Sequence, residues 1–126
     1  MAEQTQDQLP KTTADGIELA SSKVEILAGS GTDPTAATFV LHEEDHTLAN
    51  PLRHAIMQNP EVEFCGYSIP HPSEYKVQLR IQTTQETTAL AALKKGLEDV
   101  YAMCDHTFKE YHRVMKAGEY EIVDEE

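Results

Sequence analysis

The alternation of apolar and polar positions predicts four β-strands along the chain. The clearest is residues 75–83, where Tyr75, Val77, Leu79 and Ile81 share one face and polar residues lie between them. The other three predicted strands are residues 23–27, 38–42 and 62–69. The alternation in the last of these breaks at Gly66, which predicts a β-bulge there. A strand with one polar face indicates an antiparallel sheet with one face in solvent.

A short helix is predicted between the second and third strands, within residues 45–60. Its apolar residues recur at the spacing of one helical face, and they are Leu48, Leu52, Ala55 and Ile56. Pro60 disfavours helical backbone before it, so the helix should end near Gln58. Two starts remain open, with either Thr47 as the cap or Asn50 as the cap and Pro51 at the first helical position.

After Glu86 the apolar period changes from two residues to that of a helix. The stripe consists of Leu90, Leu93, Leu97, Val100, Cys104, Phe108, Tyr111 and Val114. Thr83 and Glu86 have the spacing of a capping box, and Gly118 suits the C-terminal end.

The predicted long helix has roughly 30 residues and a length of ~45 Å, because each residue adds about 1.5 Å. A domain of this size has a diameter of only about 30 Å. The second half of the helix must therefore extend beyond its own domain. An exposed stripe that includes Phe108 and Tyr111 would cause aggregation in water, so it requires a partner surface.

Composition supports one folded domain, residues 22–118, between a disordered acidic tail at 1–21 and an acidic tail at 119–126. The 126 residues carry a net charge of −12. Nucleic-acid affinity depends on clustered Lys and Arg, so we expect no direct contact with nucleic acid. The chain shows no signal peptide and no run approaching the ~20 apolar residues of a membrane span, which favours a soluble intracellular protein.

The best candidate for chemistry is the cluster of His42, Asp45 and His46, which could serve a small metal-dependent enzyme. We favour capping and surface roles. His42 ends a strand and His46 begins a turn, so their four-residue spacing does not place them on one face of a helix. Cys65 and Cys104 lack the paired spacing of zinc or redox sites and are predicted to be buried thiols. The sequence therefore predicts no catalytic residue, metal ligand or cofactor site.

Three motifs, residues 42–53, 59–67 and 71–73, closely resemble the smaller alpha-like subunits shared by RNA polymerases I and III. The resemblance runs from about Thr38 to Lys116. The wider family includes the corresponding subunit of RNA polymerase II, the archaeal small alpha-like subunit and the dimerisation domain of the bacterial alpha subunit.

This resemblance implies an α/β (α+β) fold of the RNA polymerase alpha-subunit dimerisation type, a small antiparallel sheet with a short helix and a long C-terminal helix. It implies a non-catalytic structural subunit of the nucleus, in nucleolus and nucleoplasm, for transcription of rRNA, tRNA and 5S RNA. The partner is a larger alpha-like subunit, and the heterodimer is the assembly platform for the second-largest and largest catalytic subunits. No cofactor is implied.

The resemblance also places the dimer interface on both helices. In this sequence it falls on Leu48, Leu52, Arg53, Ile56, Met57, Leu90, Leu93, Leu97, Val100, Cys104, Phe108, Tyr111 and Met115.

We predict that the purified chain has no measurable affinity for duplex DNA at physiological salt, because its basic residues are outnumbered and unclustered. A titration followed by fluorescence anisotropy tests this. Salt-sensitive binding in the micromolar range would show instead that folding gathers the basic side chains into a patch.

Overall fold

The computed structural model describes residues 23–27, 32–118 and 120–124, together with two short strands near the N-terminus. These strands, β1 (Lys11–Thr12) and β2 (Glu18–Leu19), pair with each other antiparallel. The predicted disordered tail at residues 1–21 otherwise lies outside the described residues. So do positions 119 and 125–126 of the predicted acidic tail.

The four predicted strands form one antiparallel sheet, as expected. They are β3 (Val24–Ile26), β4 (Ala36–His42), β5 (Val62–Ser68) and β6 (Lys76–Thr83). The order across the sheet is β3-β4-β6-β5, and every neighbouring pair is antiparallel. The central pair, β4 with β6, therefore carries most of the inward-facing side chains.

One face of β6 supplies the centre of the core through Val77, Leu79 and Ile81, which are fully buried. Phe39 lies opposite Leu79 in the ladder and is also fully buried. Tyr75, which was predicted to share this face, precedes the strand and is 70% exposed. The alternation rule fails for Tyr75 because the strand begins one residue later, at Lys76.

The predicted bulge at Gly66 is wrong, because the register shifts between Val62 and Phe64 and leaves the extra residue at Glu63. Gly66 itself pairs regularly with Arg80. Its lack of a side chain accommodates the ring of Phe64, since a Cβ at Gly66 would lie 2.9 Å from Phe64 Cζ. The glycine therefore marks a close ring contact on the outer face of the sheet.

Helix α1 comprises His46–Met57 and is capped by Asp45, whose carboxylate accepts a 2.8 Å hydrogen bond from the Thr47 amide. Both predicted starts, with Thr47 or Asn50 as the cap, are therefore wrong. The hydrogen bonds from Thr47 favour the charged form and hold the pKa of Asp45 below its ordinary value. The predicted end is confirmed, because Gln58 is the C-terminal cap.

Helix α2 comprises Ala89–Ala117, 29 residues, and confirms the predicted long helix. Its cap is Thr88, whose hydroxyl accepts a 3.1 Å hydrogen bond from the amide three residues later. The predicted capping box of Thr83 and Glu86 is wrong, because Thr83 is still the last residue of β6. Gly118 ends the helix as predicted, with the left-handed φ of 66° that glycine adopts without strain.

The two helices lie side by side on the inner face of the sheet, and their contact centres on Gly96. A Cβ at this buried position would lie 2.4 Å from Ile56 Cγ1 and 3.4 Å from Leu52 Cδ1. Glycine inside a helix costs about 1 kcal/mol relative to alanine. The helix contact offsets this cost, because only a hydrogen atom at this position lets the Ile56 side chain of α1 approach α2 so closely.

We predict that Gly96→Ala lowers the free energy of unfolding by about 1–3 kcal/mol, because overpacking at Ile56 outweighs the better helix propensity of alanine. Urea unfolding followed by circular dichroism at 222 nm measures the change. In an Ile56→Ala background, the same substitution should no longer destabilise the chain. If Gly96→Ala stabilises both backgrounds, the close contact does not explain the glycine.

Candidate partner-binding surface

Helix α2 is supported by the domain only along its first part. Its fully buried residues are Ala89, Ala92, Leu93 and Gly96. Val100 is the last residue of the helix that packs against the core. The remaining residues, 101–117, form about 25 Å of helix that projects from the domain. The predicted overhang is thus present, and it begins one turn after Gly96.

An apolar groove follows the projecting part of α2. We call it the α2 groove, and its lining residues are Pro51, Val100, Met103, Cys104, Thr107, Phe108 and Tyr111. Phe108 is 64% exposed and Tyr111 is 63% exposed. Large aromatic side chains gathered on one exposed face indicate a protein interaction site.

The α2 groove extends onto α1 through Pro51. It lies inside α1 and its side chain is exposed. Proline has no amide hydrogen, so the helical hydrogen bond that would reach the Thr47 carbonyl is absent. The helix still continues on both sides, and the ring forms an apolar wall at the base of the groove. The apolar surface therefore spans both helices.

The side of α2 away from the groove is polar and carries charge pairs one turn apart. Its ion pairs are Lys94–Glu98 at 4.0 Å, Lys95–Asp99 at 2.8 Å, Asp105–Lys109 at 2.8 Å and Glu110–Arg113 at 3.1 Å. Each exposed pair contributes only a few tenths of a kcal/mol to the helix. The last two pairs lie in the projecting part, where together with the Gly118 cap they favour helix without support from the sheet.

The structure divides the predicted interface residues by burial. Leu52, Ile56 and Leu93 lie in the core of this chain. Leu48, Leu90 and Val100 are half-buried. The exposed members are Arg53, Met57, Leu97, Cys104, Phe108, Tyr111 and Met115. Most of the apolar stripe of α1 is therefore used inside the domain, and the exposed members, together with half-buried Val100 in the α2 groove, can present side chains to a partner.

The sequence stripe omitted three residues that line the groove, namely Pro51, Met103 and Thr107. Met103 and Thr107 are one turn apart and flank the predicted stripe, so a wider helical face would have included them. No sequence pattern indicated that Pro51 lines the groove, because it belongs to the other helix and its position depends on how the helices pack.

The candidate metal residues do not converge on a common point. His42 Nε2 lies 3.1 Å from a carboxylate oxygen of Glu25, and His46 Nδ1 lies 2.7 Å from the Tyr67 hydroxyl. Asp45 caps α1. Within the described part of the chain, no group of His, Cys, Asp and Glu side chains is arranged to hold a metal ion. The geometry therefore gives the metal-dependent enzyme no support.

The two cysteines differ in environment. Cys65 lies in the core as predicted, and burial raises the pKa of its thiol to about 11. The prediction of burial is wrong for Cys104, which is exposed in the α2 groove. Its apolar spacing was read correctly, but the helix has already left the domain at this point.

The chain has a four-stranded antiparallel sheet with two helices on one face, and one helix projects with an open apolar groove. This arrangement is typical of a protein that pairs with another. Residues 36–110 match the family described as the RNA polymerase Rpb3/Rpb11 dimerisation domain, and this match covers more than half of the chain. The chain belongs to the RNA polymerase Rpb3/Rpb11 dimerisation domain family. The match begins with β4 and ends two residues after Phe108 of the groove.

Three relatives agree with this assignment. The chain is 57% identical over 89 residues to the DNA-directed RNA polymerases I and III subunit RPAC2 of Schizosaccharomyces pombe, covering 71% of each protein. It is 57% identical to the RPAC2 subunit of Saccharomyces cerevisiae, over 66% of this chain and 59% of that protein. The RPAC2 subunit of Danio rerio is 46% identical, over 74% of this chain and 83% of its own length.

A solved structure supports the fold. The DNA-directed RNA polymerase subunit L of Thermoplasma acidophilum superposes with a TM-score of 0.63, covering 80% of this chain and 97% of that one. Because the two sequences are only 14% identical, this similarity is evidence for the fold and for nothing more. The predicted fold class and the predicted family are both confirmed. No helix within the described ranges is long and apolar enough to cross a membrane.

We predict that iodoacetamide at pH 8 labels Cys104 of the native chain rapidly and Cys65 only after unfolding. Cys65 is buried, and with a pKa of about 11 only about a thousandth of it is thiolate at that pH. Mass spectrometry of tryptic peptides measures the two rates. Cys104→Ser should remove the fast label, and equal labelling of both cysteines would contradict the packing of β5 in the core.

Proposed function

We propose that this chain is a non-catalytic structural subunit of DNA-directed RNA polymerases I and III, and that it forms a heterodimer with the larger alpha-like subunit. The observation that carries the proposal is the α2 groove, an uncovered apolar surface on a helix longer than its domain. Membership of a dimerisation domain family and the names of the relatives indicate which kind of partner covers it.

The aromatic side chains of the groove are suited to be the anchors of the interface. Phe108 and Tyr111 lie one turn apart, and Met103 and Cys104 fill the space before them. Aromatic residues at the centre of an interface contribute much of its binding energy, because they bury a large apolar area with few rotatable bonds. The ion pairs on the opposite face of α2 remain in water, so binding does not require their desolvation.

The exposed side of α1 extends the same surface. Pro51 lies at the base of the groove, and Arg53 and Met57 are exposed on the same helix. We propose that helices of the partner cross these residues and the α2 groove together. Leu52 and Ile56 act indirectly, because they hold α1 against α2 and so fix the relative position of the two parts of the surface.

We infer that the heterodimer then binds the second-largest and largest catalytic subunits, which carry out RNA synthesis. The chain would act in the nucleus, in the nucleolus with polymerase I and in the nucleoplasm with polymerase III, for synthesis of rRNA, tRNA and 5S RNA. The support is that relatives with 57% and 46% identity carry the names of subunits of both enzymes.

We predict that Phe108→Asp weakens pairing with the larger alpha-like subunit at least about 100-fold, because burying an unpaired carboxylate costs several kcal/mol. The variant should fold as wild type does, since Phe108 is 64% exposed in the free chain. Co-purification of the two subunits measures pairing, and circular dichroism checks the fold.

The matched control is His106→Asp, which places the same carboxylate on the side of α2 away from the groove. It should pair as the wild type does. Cys104 should also lose its reactivity toward iodoacetamide when the partner is bound. If folded Phe108→Asp pairs normally and His106→Asp does not, the interface lies on the other side of the helix.

A further inference from the structure

The segment that follows α2, residues 120–124, carries unexplained apolar side chains. It has no regular secondary structure, and Ile122 is 80% exposed and Val123 is 84% exposed. These are the most exposed large apolar side chains in the part of the chain that the structure describes. Tyr120, two residues before them, is 49% exposed. Within the described part of the chain, Ile122 and Val123 are left almost uncovered and Tyr120 is half-covered.

The composition of this segment differs from that of a merely solvated tail. Residues 119–126 contain five acidic residues and no basic one. A run of charge alone usually lies in solvent. Tyr, Ile and Val, however, favour extended backbone, and exposure of their apolar surface to water raises the free energy. Short apolar segments of this kind bind partners as extended chains, with backbone hydrogen bonds and side-chain pockets.

The position of the segment connects it to the α2 groove. Met115, 44% exposed, is the last apolar residue on the projecting part of α2 among the predicted interface residues. Gly118 then turns the chain with φ of 66°, and its amide donates a 3.1 Å hydrogen bond to the Val114 carbonyl. Five residues span at most about 18 Å, so a surface that covers Met115 lies within reach of Tyr120.

We propose that residues 120–124 form a second contact with the same partner subunit that covers the α2 groove. In this contact Tyr120, Ile122 and Val123 enter an apolar surface of the partner as an extended segment. Glu121 and Asp124, with the acids beside them, lie against basic residues at its rim. The proposal rests on the proposed function, because the heterodimer partner is the occupant.

Charge argues for this occupant over a second copy of the chain. A copy with a net charge of −12 would repel the acidic segment rather than attract it. Continuity with the groove argues in the same direction. A weak contact linked to a stronger one acts at high effective concentration, so the segment would mainly slow dissociation of the pair.

The test uses the full chain and the larger alpha-like subunit in a surface plasmon resonance experiment. The double variant Ile122→Asp/Val123→Asp should dissociate at least about tenfold faster than wild type, with a smaller change in the association rate. The matched control, Ile122→Val/Val123→Ile, keeps two β-branched apolar residues and should dissociate as wild type does. Both variants should fold normally, because the side chains are exposed in the free chain.

Two further measurements examine the form of the contact. Hydrogen exchange of the backbone amides of residues 121–124 should slow in the heterodimer. The variant Glu121→Gln/Asp124→Asn should dissociate faster than wild type at low salt and equally fast at high salt. Unchanged exchange together with unchanged dissociation of the double variant would overturn the proposal.

The outcomes separate the two proposals. If wild type pairs and Ile122→Asp/Val123→Asp dissociates at the same rate, the second contact is wrong and the proposed function stands. If wild type fails to pair at all, both are wrong, because the occupant does not bind. Loss of self-association in the double variant, seen by size-exclusion chromatography of the chain alone, would overturn the choice of partner.

Discussion

The close approach of the two helices at Gly96 determines how the rest of the molecule is arranged. Ile56 of α1 occupies the space that a side chain at this position would need. The helices can therefore share the single inner face of the four-stranded sheet, and the direction of α2 is set before it leaves the domain. Leu52 and Ile56 are buried, yet their packing fixes the position of Pro51 relative to Phe108.

One apolar stripe along α2 serves two purposes, and the change occurs near Val100. Before this residue the stripe packs on the sheet, and after it the same spacing continues into solvent. The spacing of apolar residues along the helix does not indicate this boundary, because a core and an interface require the same type of residue at the same interval. Only the length of the helix relative to the domain shows that a second part exists. This explains why the overhang was predicted correctly, whereas Cys104 was wrongly predicted to be buried.

The four strands of the main sheet, both helices, the cap at the end of α2 and the fold class could be predicted from alternation, period and Gly118, whereas the short strands β1 and β2 were not predicted. The N-terminal caps could not, because several hydroxyl and carboxylate residues compete within a few positions and the end of the preceding strand decides among them. The bulge was misplaced for a related reason, since a glycine can mark either a bulge or a ring contact. Burial on α1 depended on how the helices pack: the stripe itself was correct, but packing places Leu52 and Ile56 in the core of this chain.

The open groove has a consequence for the abundance of this chain in a cell. A copy without a partner keeps Phe108 and Tyr111 in water, and such surfaces promote aggregation and engage chaperones. Degradation of unpartnered copies would then remove any excess over the matching subunit. The groove would thus be exposed in a chain without its partner and covered in an assembled pair, so its exposure would distinguish the two states. Stoichiometry could be regulated in this way by the same side chains that form the contact.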